Sequence, residues 1–176
     1  MTGINPKTKG AGNPVGFEAH DHTHCIGTAI STADKLCEQK ALRLTPVRRK
    51  TLEILLQEHR AVGAYEMLDH LRQAGFGSQP PVAYRALEFL VANGLAHKIE
   101  RLNAFIACTH SDATHSPAFL ICRLCHCVAE AQSTHLGGAF IDTAQAVGFQ
   151  IEQTMIEAEG ICPSCTEKDG AGKADG

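Results

Sequence analysis

The sequence predicts an α+β fold in two parts, a winged helix-turn-helix domain followed by a smaller α/β domain held together by metal-binding cysteines. Three observations predict it. Several short amphipathic helices are followed by two short extended runs, which is the element order of a winged helix. Two CxxC motifs lie in the second part, with 36 residues between them. The charge also divides the chain: residues 25–104 carry 11 Lys and Arg against 8 Asp and Glu, whereas residues 105–176 carry 3 against 9.

The helices of the first part are located by residues that favour helix ends. Thr45 is a natural N-cap, and Pro46 occupies the first helical position, where its missing N–H costs nothing. Glycines after apolar residues at helical spacing predict where helices stop. These signals predict helices over 28–39, from Pro46 to before Gly63, from Ala64 to Gly75, and from Pro80 to Asn93-Gly94. The runs "LAHKIE" and "AFIAC" then flank a turn, as a β-hairpin would, so we expect the last helix to read DNA and the hairpin to be the wing.

The second part predicts a small sheet with one helix. "AFLIC" and "CVAEA" have the length and composition of short strands, and "FQIEQTMIEAEG" that of a long one. "LGGAFIDTAQAVG" predicts a helix that Gly148 stops. A module of this size has a thin core, so we expect it to need a metal, a dimer partner or both.

Composition sets the expected boundaries. We expect a disordered, His-containing tail over 1–24, a winged-helix DNA-binding domain over 25–104, a zinc-binding dimerisation domain over 105–167, and a C-terminal tail over 168–176. The net positive charge of the first part suits an anionic partner. No run approaches the roughly 20 apolar residues of a membrane span, and the N-terminus has no apolar core of a secretory signal. We therefore expect a soluble cytoplasmic protein with no membrane partner.

The two CxxC motifs predict a structural zinc site. Cys122 and Cys125 form one pair, Cys162 and Cys165 the other, and together they supply four thiolates for a tetrahedral ion. Such a site would join the two ends of the module and contribute to its folding free energy. The alternative to a zinc site is a redox-active "CPSC" motif, which the presence of a second CxxC disfavours. A zinc deaminase is excluded because Ile161, not Pro, precedes the second pair and no H-x-E occurs.

Several further side chains are potential metal ligands. Taken singly, each is more simply a surface or packing residue. Their placement near the wing and the joint between the two parts favours a mixed N/S/O site that links the domains. The candidates are His97, Cys108, His110, His115, Cys127, Glu130 and His135.

From residue 37 to residue 166 the chain resembles the ferric uptake regulator (Fur) superfamily and, within it, the zinc uptake regulator (Zur) branch. The resemblance is carried by "LRLTPVRRKTLEILL", "GAYEMLDHLR", "PPVAYRALEFLVANGLAHKIERLNAFIAC", "THSPAFLICRLC" and "IEAEGICPSC". It implies a dimeric winged-helix repressor that uses zinc as corepressor for zinc-uptake and homeostasis genes, with two Zn²⁺ per chain and no enzymatic activity.

The resemblance also implies roles for individual residues. His97, Cys108, His115 and Glu130 match the regulatory zinc site, while the four CxxC cysteines match the structural one. Tyr84 and Arg85 match the base-contacting pair of the reading helix, and Tyr65 matches a DNA-facing tyrosine. Arg can bond two acceptors on one guanine. The candidate phosphate contacts are Arg43, Arg48, Arg49 and Lys50. Each of them could equally be an ordinary solvated surface charge.

Three departures from the branch pattern stand out. Val82 occupies a place where Thr is usual, so one phosphate contact is expected to be lost. His126 and Cys127 follow the first CxxC where Gly is common, and we interpret Cys127 as a bystander. "HSPA" replaces the His-rich run of the iron-sensing branch, which disfavours iron.

Alternative functions keep part of this interpretation. A related sensor of another metal or of peroxide would keep the fold, although the Cys108 thiolate favours zinc. A zinc-stabilised protein-interaction module would lack DNA binding altogether. The expected partners are double-stranded operator DNA and a second copy of the chain. Two dimers on one operator stay an open alternative, in which Asp69 and Arg72 would bridge dimers instead of pairing on the helix surface.

Overall fold

The computed structural model describes residues 22–57, 60–77, 79–108, 117–132, 138–152 and 154–171. Most helices come first along this part of the chain, and most strands follow them. The helices are α1 (His22–Gln39), α2 (Pro46–Gln57), α3 (Ala64–Gln73), α4 (Pro80–Ala92), α5 (Gly138–Ala146) and α6 (Pro163–Ala171). The strands are β1 (Val62–Gly63), β2 (Ala96–Ile99), β3 (Ala104–Ala107), β4 (Pro117–Cys122), β5 (Val128–Gln132) and β6 (Ile156–Gly160).

The predicted start of α2 and end of α4 are confirmed, whereas α1 begins at His22 instead of Thr28 and α2 ends at Gln57, well before Gly63. The Thr45 hydroxyl oxygen accepts a long hydrogen bond, 3.5 Å, from the backbone N–H of Arg48, and α2 begins at Pro46. The end of α4 is a Schellman motif: Gly94 has a φ of 70°, and the N–H of Leu95 donates to the carbonyl of Leu90 at 2.9 Å. Glycine enters this left-handed conformation without the steric cost of a Cβ atom. The helix that carries the predicted reading face therefore stops where the wing has to begin.

The first hydrophobic core lies between α2, α3, α4 and the wing. Leu55, Met67, Leu87 and Leu90 are almost completely buried in it. Burying each such side chain contributes about 1.5–3 kcal/mol. Because Leu87 and Leu90 commit one face of α4 to this core, the opposite face of the helix is exposed.

The wing is a three-stranded antiparallel sheet in the order β1-β3-β2. The predicted hairpin is confirmed, with His97 opposite Ile106 and Ile99 opposite Ala104. Its turn closes through a hydrogen bond from the N–H of Asn103 to the carbonyl of Glu100, 3.1 Å. The two-residue strand β1 was not predicted, because two residues are too few to show alternation and only pairing with β3 defines them.

The second sheet has the order β5-β4-β6. β4 pairs antiparallel with β5 and parallel with β6, so the carboxyl ends of β4 and β6 meet at one edge. The predicted long strand over "FQIEQTMIEAEG" is wrong in length, since strand pairing covers only Ile156–Gly160. The predicted helix is confirmed as α5, and Gly148 beyond it has a φ of 72°.

A second hydrophobic core joins the wing to the second sheet. Ile99 and Ile106 of the wing pack with Phe119, Ile121 and Val128 of β4 and β5. The wing thus contributes to both cores, because successive residues of a strand point to opposite sides of the sheet. A side chain on β2 can therefore lie between the two domains.

Two predicted tail boundaries need correction. Helix α1 begins at His22, so residues 22–24 of the predicted disordered tail are helical. Helix α6 runs to Ala171, so the predicted C-terminal tail over 168–176 begins inside a helix. The Gly- and Asp-rich composition of the C-terminus suggested a tail, but Pro163 in the first helical position starts a helix that continues into this segment. No helix in the described residues combines the length and apolar character that a membrane crossing requires.

Candidate metal centres

The four CxxC cysteines come together where β4 and β6 end. Cys122 is the last residue of β4, and Cys162 lies between β6 and α6, directly before Pro163. Because these strands are parallel neighbours, each motif turns back over the same edge of the sheet. The four Sγ atoms all lie within 4.8 Å of one another, with Cys125 and Cys162 at 3.7 Å. Tetrahedral zinc with Zn–S of about 2.3 Å requires S···S separations of about 3.8 Å.

Backbone N–H groups prepare one of these sulfurs for negative charge. The N–H of Cys162 donates to the Cys122 Sγ at 3.3 Å, and the N–H of Cys125 also points at that sulfur. These hydrogen bonds lower the pKa of the Cys122 thiol to about 6. Hydrogen bonds to neighbouring sulfurs raise the pKa of Cys165 to about 12. Four sulfurs this close cannot all ionise by themselves, and a divalent cation is the partner that removes the conflict.

Cys127 lies beside this cluster without joining it. It is not among the four mutually close sulfurs, and burial is the largest cause that raises the pKa of its thiol to about 11. Its backbone carbonyl accepts a hydrogen bond from the N–H of Cys122 at 2.9 Å. These observations favour a supporting position in the backbone over a ligand role.

A second cluster lies between the wing and the second sheet. It contains His97 of β2, Cys108 directly after β3, and Glu130 of β5, with one ligand atom of each within 4.8 Å of the others. The Nε2 atom of His97 is 3.5 Å from Oε1 of Glu130. Imidazole, thiol and carboxylate form a donor set that suits Zn²⁺. Three strands that belong to two different sheets therefore meet in one potential site.

The second cluster is shielded from water. Glu130 is only 2% exposed, and Cys108 is buried as well. The ring of His97 packs against Phe119, with centroids 5.4 Å apart. A carboxylate seldom occupies so buried a position unless a counter-charge or strong hydrogen bonds compensate its lost hydration. The donor chemistry and burial fit a bound cation.

The remaining predicted ligands are not all described. His115, the fourth predicted ligand of the regulatory site, and the candidates His110 and His135 lie outside the described residues. Phe119 was missed as a residue of the site. Its place inside the apolar run "AFLIC", opposite Glu130 in the strand register, was the signal that could have shown it.

The predicted DNA-facing side chains lie on exposed helix surfaces. Tyr84 and Arg85 are exposed in the first turns of α4. Tyr65, next to the start of α3, is 72% exposed, which is unusual for so large an aromatic side chain. The α3 and α4 helices pack against each other through the first core, so their exposed faces can address one ligand.

Three of the four predicted phosphate contacts already have partners within the chain. Arg49 pairs with Asp34, and the Nζ atom of Lys50 lies 3.2 Å from a Glu53 carboxylate oxygen. The Arg48 guanidinium stacks 3.6 Å from the Phe89 ring centroid and donates to a backbone carbonyl at 2.7 Å. Arg43, whose side chain is exposed, has no ion pair within the part of the chain that the structure describes. The roles of all four in DNA binding stay predictions.

Comparison with known proteins decides the family. No family model matches the chain. The zinc uptake regulation protein of Escherichia coli K12 is 37% identical over 139 residues, which cover 78% of this chain and 81% of that protein. The corresponding Shigella flexneri protein matches to the same extent. The chain belongs to the zinc uptake regulator branch of the ferric uptake regulator superfamily.

Solved structures of zinc uptake regulators have the same fold. A zinc uptake regulator complexed with zinc and DNA superposes with a TM-score of 0.79 at 35% identity, covering 82% of this chain and 97% of that one. The crystal structure of holo XcZur gives a TM-score of 0.72 at 39% identity, covering 80% and 98%. Both matches cover about four fifths of this chain, which is more than either predicted domain alone.

One departure from the zinc uptake regulator pattern now has a physical explanation. His126, where Gly is common, has a φ of 59°. This left-handed conformation is open to glycine but costs an ordinary L-residue roughly 1 kcal/mol. The hydrogen bond from the N–H of His126 to the Cys122 carbonyl, 2.9 Å, holds the turn in place. The turn after Cys125 therefore holds His126 in a conformation that glycine adopts more easily.

Proposed function

We propose that this chain is a zinc-responsive transcriptional repressor, which binds operator DNA as a homodimer when loaded with zinc and controls zinc-uptake and homeostasis genes. Each chain holds two Zn²⁺ ions, a structural ion at the four CxxC cysteines and a regulatory ion at the second cluster. The domain over 25–104 binds DNA, and the domain over 105–167 dimerises. The protein has no enzymatic role and works in the cytoplasm, where its operators are.

The convergence of His97, Cys108 and Glu130 carries this proposal. Their strands belong to both sheets, so a cation bound by all three constrains the angle between the wing and the dimerisation domain. His115 is proposed as the fourth ligand, from the segment between β3 and β4. Zinc bound there would supply the positive charge that the buried Glu130 carboxylate and the Cys108 thiolate require.

The response follows from the difference in zinc affinity between two arrangements of the domains. Without the ion, the halves can adopt arrangements in which the three ligands are apart. To move the population from 1:99 to 99:1 in favour of the DNA-competent arrangement, zinc has to bind it about 10⁴-fold more tightly, about 5.5 kcal/mol. Three or four direct ligands of mixed N, S and O type are of the kind that can supply such a difference.

Exposed groups on α3 and α4 are proposed to contact DNA. Tyr84 and Arg85 enter the major groove, where the Arg85 guanidinium can bond O6 and N7 of one guanine. Tyr65 contacts the DNA from the preceding helix. Arg43, Arg48, Arg49 and Lys50 are proposed to contact phosphates and set the register, the last three after exchanging their internal partners for phosphate.

The second copy of the chain is proposed to cover α5 and the adjacent sheet. Phe140 and Phe149 are 63% and 65% exposed, and Val147 and Ile141 are exposed beside them. Exposed apolar side chains clustered on a short helix and the residues just after it mark an interaction site. A dimer formed here leaves both α4 helices free to contact half-sites about one helical turn apart.

Metal content per chain, measured by elemental analysis before and after a mild chelator, tests the proposal. We expect two zinc ions that fall to one while the dimer stays intact, with operator binding lost and then restored by added zinc. A single zinc ion that never leaves would contradict the regulatory site. DNA binding by such a repressor should weaken steeply with salt. Intact protein with two zinc ions that lacks this salt-dependent binding would favour a protein-interaction module without DNA binding.

A further inference from the structure

Two acidic side chains of β6 bind the turn of the wing. The Glu157 carboxylate accepts hydrogen bonds from the backbone N–H groups of Glu100 and Arg101, at 2.7 and 3.1 Å. The Nε atom of Arg101 donates to the Glu159 carboxylate at 2.9 Å. These contacts between Glu157, Glu159 and the wing turn are called the acid clasp below.

The geometry of the clasp follows from both strands. Glu157 and Glu159 are two residues apart, so they point to the same side of β6. Consecutive backbone N–H groups in a turn form a concave site that favours an anion, and Glu157 supplies its carboxylate there. Hydrogen bonds to an ionised acceptor are about twice as strong as neutral ones. The exposed pair between Arg101 and Glu159 adds little by itself.

The clasp and the second metal cluster hold opposite ends of the same hairpin. His97 and Cys108 lie at the end nearest α4, whereas Glu100 and Arg101 form the turn at the other end. Glu100 is the third residue after His97, which is about 10 Å along an extended strand. A rigid hairpin held at one end can still pivot, but a hairpin held at both ends has its direction fixed.

We infer that Glu157 and Glu159 are positioning residues that hold the wing against the dimerisation domain without a metal and so favour the arrangement in which the regulatory zinc ligands meet. This inference rests on the proposed function. The clasp exists in an arrangement that superposes well on a relative bound to zinc and DNA, which supports a role in the competent state instead of an inhibited one.

Linkage gives the expected effect. The arrangement in which the regulatory zinc ligands meet is called the closed arrangement below. Contacts that stabilise it raise the apparent zinc affinity, and their removal lowers that affinity by the same factor. We expect Glu157→Ala, which removes both hydrogen bonds to the turn, to weaken zinc binding at the exchangeable site roughly tenfold. DNA affinity at saturating zinc should fall by less, because bound zinc restores the closed arrangement. Glu159→Ala should have a smaller effect, about twofold.

The experiment compares zinc titrations of the full-length dimer with its structural zinc retained. Glu167→Ala is the matched control, since Glu167 is an exposed acid on α6 outside the clasp. Equal zinc affinities for Glu157→Ala and Glu167→Ala would overturn the inference while leaving the proposed function standing. Wild-type protein without zinc-dependent DNA binding would instead refute the proposed function.

Amide hydrogen exchange of the wild-type protein tests the same inference without a variant. With the exchangeable zinc bound, the N–H groups of Glu100 and Arg101 should be protected from exchange, because Glu157 accepts both of them in that arrangement. Exchange at the rate of an open loop would overturn the inference.

If Glu157→Ala does not fold, Glu157→Gln keeps the side-chain volume and one acceptor. An effect of Glu157→Gln on zinc affinity below twofold would also contradict the inference. Arg101→Ala should match Glu159→Ala; a much larger loss of DNA affinity would show that Arg101 contacts DNA directly.

Discussion

Replacing Glu130 with Gln separates metal sensing from folding. Glu130 is 2% exposed and lies 3.5 Å from His97, so its carboxylate is placed to bind the same cation as the imidazole. Gln has nearly the same shape and leaves the packing against β4 intact. We expect the free energy of unfolding of the protein without regulatory zinc to change by less than about 1 kcal/mol, since losing a buried charge offsets losing its interactions.

The effect on zinc should be much larger. A neutral amide oxygen is a weak zinc ligand, and even outer contacts of metal sites change affinity 10- to 100-fold, so we expect about 100-fold for a direct ligand. At 1.4 kcal/mol per tenfold, this is about 2.8 kcal/mol. If zinc favours the closed arrangement by about 10⁴, the variant retains about 10², and a population of 99:1 at saturating zinc falls to about 1:1.

Two assays check this prediction. Competition with a chelator of known affinity gives the zinc affinity of the exchangeable site, and fluorescence anisotropy gives operator binding as a function of free zinc. Glu38→Gln on α1 is a matched control, because Glu38 is an exposed carboxylate outside both metal clusters and outside α5. An unchanged zinc affinity in Glu130→Gln would refute Glu130 as a ligand. A variant that loses both zinc ions together with its fold would refute the separation of sensing from stability.

Three further predictions concern other parts of the chain. Cys162→Ser removes one of four clustered sulfurs, so the structural ion and the dimer should be lost together, which metal analysis and size-exclusion chromatography would detect. Arg85→Ala should cost roughly 1–3 kcal/mol of operator binding and reduce discrimination between operator and unrelated DNA, whereas Arg43→Ala should weaken binding to both equally and reduce the salt slope by about one. Glu66→Gln breaks the pair with Arg60, whose hydrogen bonds hold the pKa of Glu66 below its usual value. A lowered pKa contributes stability above the unfolded value of 4.5 that disappears as the pH falls through the folded one. Chemical denaturation should therefore show a difference below about 1 kcal/mol at pH 7 that vanishes at lower pH.

Local signals predicted the helices because the chemistry of helix ends is local. Thr45 and Pro46 start α2, and Gly94 ends α4, through contacts made within a few residues. The four-cysteine cluster was predictable for the same reason, since two CxxC spacings specify their ligands before the fold is known. Strand β1 was missed because its definition depends entirely on a distant partner, β3.

The residues of the second cluster could not be selected from spacing. Seven side chains were candidates, and only packing of the wing on the second sheet brings three of them, His97, Cys108 and Glu130, together. Resemblance, rather than periodicity, supplied that choice. The acid clasp had no comparable signal, because Glu157 and Arg101 are 56 residues apart and their contact depends on how two sheets dock.

The two clusters differ in what a bound ion would have to move. Cys122 and Cys162 follow paired strands of one sheet, so the four sulfurs stay close as long as that sheet exists. An ion there is held by four ligands that cannot move apart while the sheet is paired, which is why we expect it to exchange slowly. His97 and Glu130 belong to different sheets, whose separation breaks the second cluster but leaves each sheet paired. An ion in the second cluster can therefore leave at the cost of the contact between domains alone. Under the proposed function, that contact orients the wing toward DNA, which makes the second cluster, and not the first, the one suited to reporting zinc concentration.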